Sequence, residues 1–178
     1  MKNYSLITLI LLSIFSIQAQ DNNDNTQQNF NEVKLNGLYL VIGAIDVAYE
    51  RTLNEESGIG ISLFLPFDED VNADINYYIS PYYRFYFGEK YAAGFFLEGF
   101  GMLNSIDRFQ LEFDNFGNVI DSNDNITDFA LGIGFGGKWV TNRGFIGELN
   151  LGVGRNLFNN DTIDDFVGKL AITLGYRF

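Results

Sequence analysis

Lys169-Leu170-Ala171-Ile172-Thr173-Leu174-Gly175-Tyr176-Arg177-Phe178 alternates without a break. Leu170, Ile172, Leu174, Tyr176 and Phe178 share one face, and Lys169, Ala171, Thr173, Gly175 and Arg177 share the other. That period of two belongs to an extended strand whose faces meet unlike surroundings.

The same split runs upstream. Phe129, Leu131, Ile133, Phe135 and Trp139 alternate with Ala130, Gly132, Gly134, Gly136 and Lys138, and Tyr77, Ile79, Pro81, Tyr83, Phe85 and Phe87 with Tyr78, Ser80, Tyr82, Arg84 and Tyr86. Eight segments follow this rule, over 32–42, 45–53, 58–66, 75–87, 91–105, 128–140, 145–155 and 168–178. Most have the roughly 9–11 residues that a tilted strand needs to cross a bilayer. The spacing predicts an all-β fold, an eight-stranded antiparallel transmembrane up-and-down β-barrel over residues 32–178.

Short connections at 54–57, 88–90 and 141–144 alternate with long ones at 67–74, 106–127 and 156–167. Short periplasmic turns and longer extracellular loops give a transmembrane barrel this rhythm. Only the first connection, near Gly43 and Ala44, fails to be long. The long connections also hold the acidity: Asp68, Glu69, Asp70 and Asp74, then a second group from Asp107 to Asp128, then Asp161, Asp164 and Asp165. Together they carry −12, against about −1 for the rest of the chain after residue 19.

Alternation alone leaves open which face looks out, because a soluble lipocalin-like barrel turns its apolar face inward. Three features point outward. Gly132, Gly134 and Gly136 form a column that makes room for long side chains inside a barrel. Asp46, Glu50, Glu98 and Glu148 match Arg84, Lys138, Lys169 and Arg177 four against four, the pairing that buried charges require. Phe85, Phe87, Tyr91, Trp139, Phe145, Tyr176 and Phe178 gather at the periplasmic ends, where a membrane interface collects aromatic rings.

The N-terminus adds an address. Lys2 precedes the mostly apolar run Leu6–Ile17, and Ala19 supplies a small residue for cleavage, the three-part pattern of a secretory signal peptide over 1–19. Residues 20–31, polar and rich in Asn, Gln and Asp, read as a flexible leader. The expected location is the outer membrane of a Gram-negative cell.

These features resemble the small outer-membrane barrels of Gram-negative bacteria, similar in architecture to OmpX and the OmpA membrane domain. Leu38-Tyr39-Leu40, Tyr49-Glu50-Arg51 and the run from Pro81 to Gly88 resemble more closely an uncharacterised family of bacterial outer-membrane β-barrel proteins. That resemblance implies a fold and a location and brings no activity. Tyr176 and the terminal Phe178 resemble the C-terminal signal read by the barrel-assembly machinery, with Thr173 where its common form has glycine.

Composition removes several functions. The chain has no cysteine and no histidine, so thiolate metal sites, cysteine nucleophiles and histidine-based triads are absent. After residue 19 the chain carries 10 basic and 23 acidic side chains, a charge of −13 that repels nucleic acid. Asp68-Glu69-Asp70 and Asp121-Ser122-Asn123-Asp124-Asn125 are candidate cation stretches, but the second has Ile126 where an EF-hand loop needs glycine. No metal, cofactor or catalytic residue is assigned. The expected role is structural or interactive at the cell surface, as a monomer, with lipid and lipopolysaccharide around it and acidic loops outside. A narrow channel and a soluble ligand-binding barrel are the alternatives.

Overall fold

A computed structural model describes residues 29–68, 75–113, 119–158 and 166–178. The expected signal peptide with its Ala19 cleavage site and most of the expected leader lie outside the described residues, as do residues 69–74 and 159–165 with their acidic side chains.

Eight strands close into one antiparallel barrel in chain order, the last pairing with the first. They are β1 (Asn31–Asn36), β2 (Ala44–Asn54), β3 (Ser57–Pro66), β4 (Ile75–Phe87), β5 (Gly94–Phe113), β6 (Val119–Val140), β7 (Phe145–Asn156) and β8 (Phe166–Arg177). Phe178 exchanges backbone hydrogen bonds with Asn31, so both ends of the described chain meet on one rim. That near rim also holds the turns at 55–56, 88–93 and 141–144.

Apolar side chains point out. On β8, Leu170, Ile172 and Leu174 are exposed, whereas Lys169, Ala171 and Thr173 are buried. Ile133 at mid-wall is 72% exposed, whereas Glu50 is fully buried. This inverts the lipocalin-like arrangement: hydrocarbon faces the surroundings and charge faces the centre. Eight strands enclose an interior that side chains can fill. The glycine column serves that filling: a Cβ on Gly132 would lie 2.3 Å from the Phe100 ring, and one on Gly136 2.5 Å from the Phe96 ring.

Three expectations need correction. The segment 32–42 is not one strand, because β1 stops at Asn36 and residues Gly37–Ile42 form a short helix, α1. Asn36 caps its start by accepting from the Leu38 N–H, and Gly43 ends it at φ 107°, in the left-handed region that glycine enters without cost. The helix and Gly43 therefore form the missing longer first connection. Second, the connection expected over 106–127 is mostly strand: β5 and β6 stay paired out to Phe113 and Val119. They run past the last β4 pair at Ile75 and Ile106, so a two-stranded ribbon projects from the far rim.

Third, the turn after β4 runs to Ala93, and Tyr91 does not join the outer aromatic belt. It packs against Phe30 and against the buried group Tyr86, Ala92 and Phe96. The turn folds under the barrel as a floor, held by Ala92 N–H donating to Glu55 O at 2.7 Å. The outward rings on this rim include Phe87 beside Phe95 and Phe145 edge-on to Tyr176.

Candidate functional site: the charged interior

Polar residues at inward positions of seven strands converge on the barrel axis. Glu32 and Lys34 come from β1, Asp46 and Glu50 from β2, Arg84 from β4, Glu98 from β5, Lys138 from β6, Glu148 from β7, and Lys169 and Arg177 from β8. Strand β3 contributes small inward residues such as Gly58, Gly60 and Ser62, which leave space for chains from across the barrel. A Cβ on Gly60 would meet the Tyr82 ring at 2.3 Å.

Arg84 is the hub. Its Nε donates to Glu98 at 2.7 Å, its Nη1 to Glu50 at 2.9 Å and Glu148 at 2.8 Å, and its Nη2 to Glu148 at 2.8 Å. The guanidinium lies between the Tyr82 and Phe96 rings, 4.4 and 4.3 Å from their centroids. Such stacking adds cation–π attraction where water is excluded. Lys34 reaches Glu50 at 2.7 Å, Glu148 at 2.9 Å and Glu32 at 3.2 Å.

The network spreads from there toward both rims. Lys138 donates to Glu32 at 3.0 Å, Glu50 at 2.9 Å and the Tyr86 hydroxyl at 2.6 Å. Tyr86 in turn donates to Glu50. Arg177 clamps Glu32 at 2.6 Å and donates to the carbonyls of Tyr91 and Ala92, each at 2.9 Å, which ties β8 to the floor turn. On the other side Lys169 donates to Glu98 at 2.6 Å. Glu32, Glu50, Glu98 and Glu148 each touch at least two cations. Charges held this way offset the cost of leaving water, which an isolated buried carboxylate could not.

The structure thus brings together seven of the eight interior residues read from sequence: Glu50, Arg84, Glu98, Lys138, Glu148, Lys169 and Arg177. Asp46 stands aside. It is buried and accepts from Asn36 at 3.0 Å and Tyr78 at 3.2 Å, with no ion pair among the described residues. Sequence reasoning missed Glu32 and Lys34, both buried, although their alternation with Val33 and Leu35 was a usable signal. With them the balance is five acids against five bases. Tyr176 and Phe178, read as an assembly signal, face outward on the near rim. Among the described residues no group of acidic side chains is placed to hold a metal ion.

This inside-out barrel, with lipid-compatible walls and a neutralised core, defines an eight-stranded transmembrane β-barrel of the outer-membrane type. The chain belongs to the family described as "Protein of unknown function (DUF3575)", whose model matches residues 5–168. No curated protein matches it. In fold it is similar to the N-terminal β-barrel domain of Pseudomonas aeruginosa OprF, at 14% identity and a TM-score of 0.60. That alignment covers 85% of this chain and 98% of the other. The Yersinia pestis outer membrane protein Ail aligns at 15% identity and a TM-score of 0.40, over 85% of this chain and all of Ail.

Proposed function

We propose that the protein is a non-enzymatic integral barrel of the outer membrane that acts through its far rim. The observation carrying this reading is the inversion of the barrel: exposed Leu, Ile, Val and aromatic side chains outside, and paired charges inside. In this reading the chain is exported by the signal peptide cleaved at Ala19. The barrel-assembly machinery recognises Tyr176 and Phe178, and the product sits as a monomer with its near rim in the periplasm.

The network fills the barrel and braces it. Each of its four carboxylates is held by cations, so none is left to exchange a proton with a substrate. The packing also favours bracing over conduction. The interior cavity that Lys34, Arg84, Glu148 and Lys169 help to line has about 20 Å³, room for one water molecule and too little for a hydrated ion.

What remains for interaction is the far rim. The connections whose sequences hold Asp68, Glu69 and Asp70, and Asp161, Asp164 and Asp165, supply carboxylates that would complement the anionic headgroups of lipopolysaccharide through a shared cation. Divalent cations, which take oxygen ligands, would bridge the two. The test is binding of the protein in detergent to lipopolysaccharide with and without Ca²⁺. Binding that needs Ca²⁺ and falls when Asp68, Glu69 and Asp70 become amides supports the reading. Binding that is absent, or unaffected by either change, contradicts it.

A further inference from the structure

We infer that a hollow on the near rim is a binding site for the phosphate of an anionic lipid headgroup, with Arg143 as its charged contact. The inference rests on the membrane placement proposed above, which sets this rim in the periplasmic, phospholipid leaflet. The hollow has about 300 Å³ and is lined, among others, by Asn29, Thr141, Asn142, Arg143 and Arg177. No acidic side chain lines it.

Its sign runs against a chain that carries −13 after residue 19. Arg143 is exposed in the turn 141–144 and brings a full positive charge. Arg177 contributes differently, because Glu32 offsets its charge. Its Nε and both Nη2 hydrogens go to Glu32 and the Ala92 carbonyl, and Nη1 gives one hydrogen to the Tyr91 carbonyl. One Nη1 N–H is left for a ligand, and the Asn29 and Asn142 amides add further donors. A guanidinium can meet a phosphate with two parallel hydrogen bonds. A second hollow on this rim, lined by Glu56 and Glu89 among others, has the opposite sign, so an anion is directed to the Arg143 side.

The level fits a headgroup. The turn joins β6 to β7 between two outward rings, Trp139 at 61% and Phe145 at 52% exposure. Phe145 packs edge-on to Tyr176 on the next strand. Such rings collect where acyl chains give way to headgroups. Arg143, in the turn beyond them, stands at phosphate depth. A soluble phosphate would make no use of the rings, whereas a lipid uses both parts: its chains lie on Trp139 and Phe145 while its phosphate meets Arg143.

The test uses Trp139, the chain's single tryptophan, as the reporter. The full barrel is refolded into phosphatidylcholine vesicles doped with brominated phosphatidylglycerol or, at the same mole fraction, brominated phosphatidylcholine. Quenching should give an association constant about five-fold higher for the anionic lipid, the contribution of one basic residue at a charged surface. Arg143→Gln should remove that preference and keep the heat-dependent gel shift of the folded barrel. Inorganic phosphate, matched in ionic strength by chloride, should leave the preference in place, and its erasure would assign the hollow to free phosphate instead. Equal quenching by the two lipids, or a preference that survives Arg143→Gln, would overturn the site. Quenching by neither would overturn the membrane placement itself, and the site with it. Orientation is read separately. The chain has no cysteine, so Asn142→Cys can be labelled cleanly, and a bulky maleimide should reach it only in broken cells. Labelling of intact cells would set this rim outside and overturn phospholipid as the source.

Discussion

The Asn36 side chain does for Ile172 what a strand would have done. Where β1 ends, the Ile172 N–H donates to Asn36 Oδ1 at 3.2 Å, and Asn36 Nδ2 donates to the Leu170 carbonyl at 3.2 Å. The same oxygen caps α1 through Leu38, and the same amide holds Asp46. One buried amide thus serves the edge of β8, the start of the helix and the interior.

Asn36→Ala should therefore cost more than an ordinary helix cap. Losing a cap costs about 1 kcal/mol, and a buried unsatisfied group about 1–3 kcal/mol more. The expected loss is about 2–4 kcal/mol in reversible urea unfolding of the protein in lipid vesicles. A loss below about 0.5 kcal/mol would mean that neighbouring groups replace the amide.

Removing the hub should be severe. Arg84→Ala leaves Glu50, Glu98 and Glu148 short of a shared cation, and breaking buried pairs typically costs about 3–5 kcal/mol. The pair at its edge can be measured more finely. A double-mutant cycle with Glu98→Gln and Lys169→Met should show coupling of about 0.5–3 kcal/mol, since the two touch at 2.6 Å. Additive losses would mean that this contact contributes nothing beyond its parts.

Packing inside the wall makes a third test. Gly132→Val would drive its side chain into Phe100, and overpacking of a filled core costs about 1–3 kcal/mol. Adding Phe100→Leu should recover part of the loss, because the smaller side chain vacates the position. No recovery would place the strain in the backbone instead.

The outward face offers the sharpest contrast. Ile133→Arg puts a charge at mid-wall, where a lipid-facing site penalises it by about 2–4 kcal/mol, whereas Trp139→Arg near the rim should cost about 0–1 kcal/mol. Unfolding in vesicles measures both. Equal, small effects would be the behaviour of a barrel in water.

Most of the wall was legible because alternation is a direct consequence of two unlike faces, and β8 displays it residue by residue. The first strand was harder. Gly37-Leu38-Tyr39-Leu40-Val41-Ile42 is too uniformly apolar to carry either period, so it continues a strand pattern as readily as it forms a helix. Asn36 and Gly43 were the clue, as a cap at each end. That blur also drew attention from Glu32 and Lys34, whose alternation with Val33 and Leu35 marks them as inward on its own. The stretch Asp121–Asn125 read as a loop because Asp and Asn disfavour strands. Its pairing with Asp107–Leu111 overrides that preference, a contact made across the hairpin and invisible to local composition. The separation of Asp46 from the ion network was likewise out of reach, because alternation assigns a face and not a distance.

The central claim is that this barrel spans the outer membrane with its apolar face in lipid. The most direct measurement is a denaturing gel of an outer-membrane extract, with one sample boiled and one not. The account predicts that the protein is in the outer-membrane fraction and that the unboiled sample migrates differently, because the closed barrel resists the detergent until heated. Recovery as a soluble protein in the periplasm or medium, with no heat-dependent shift, would contradict it.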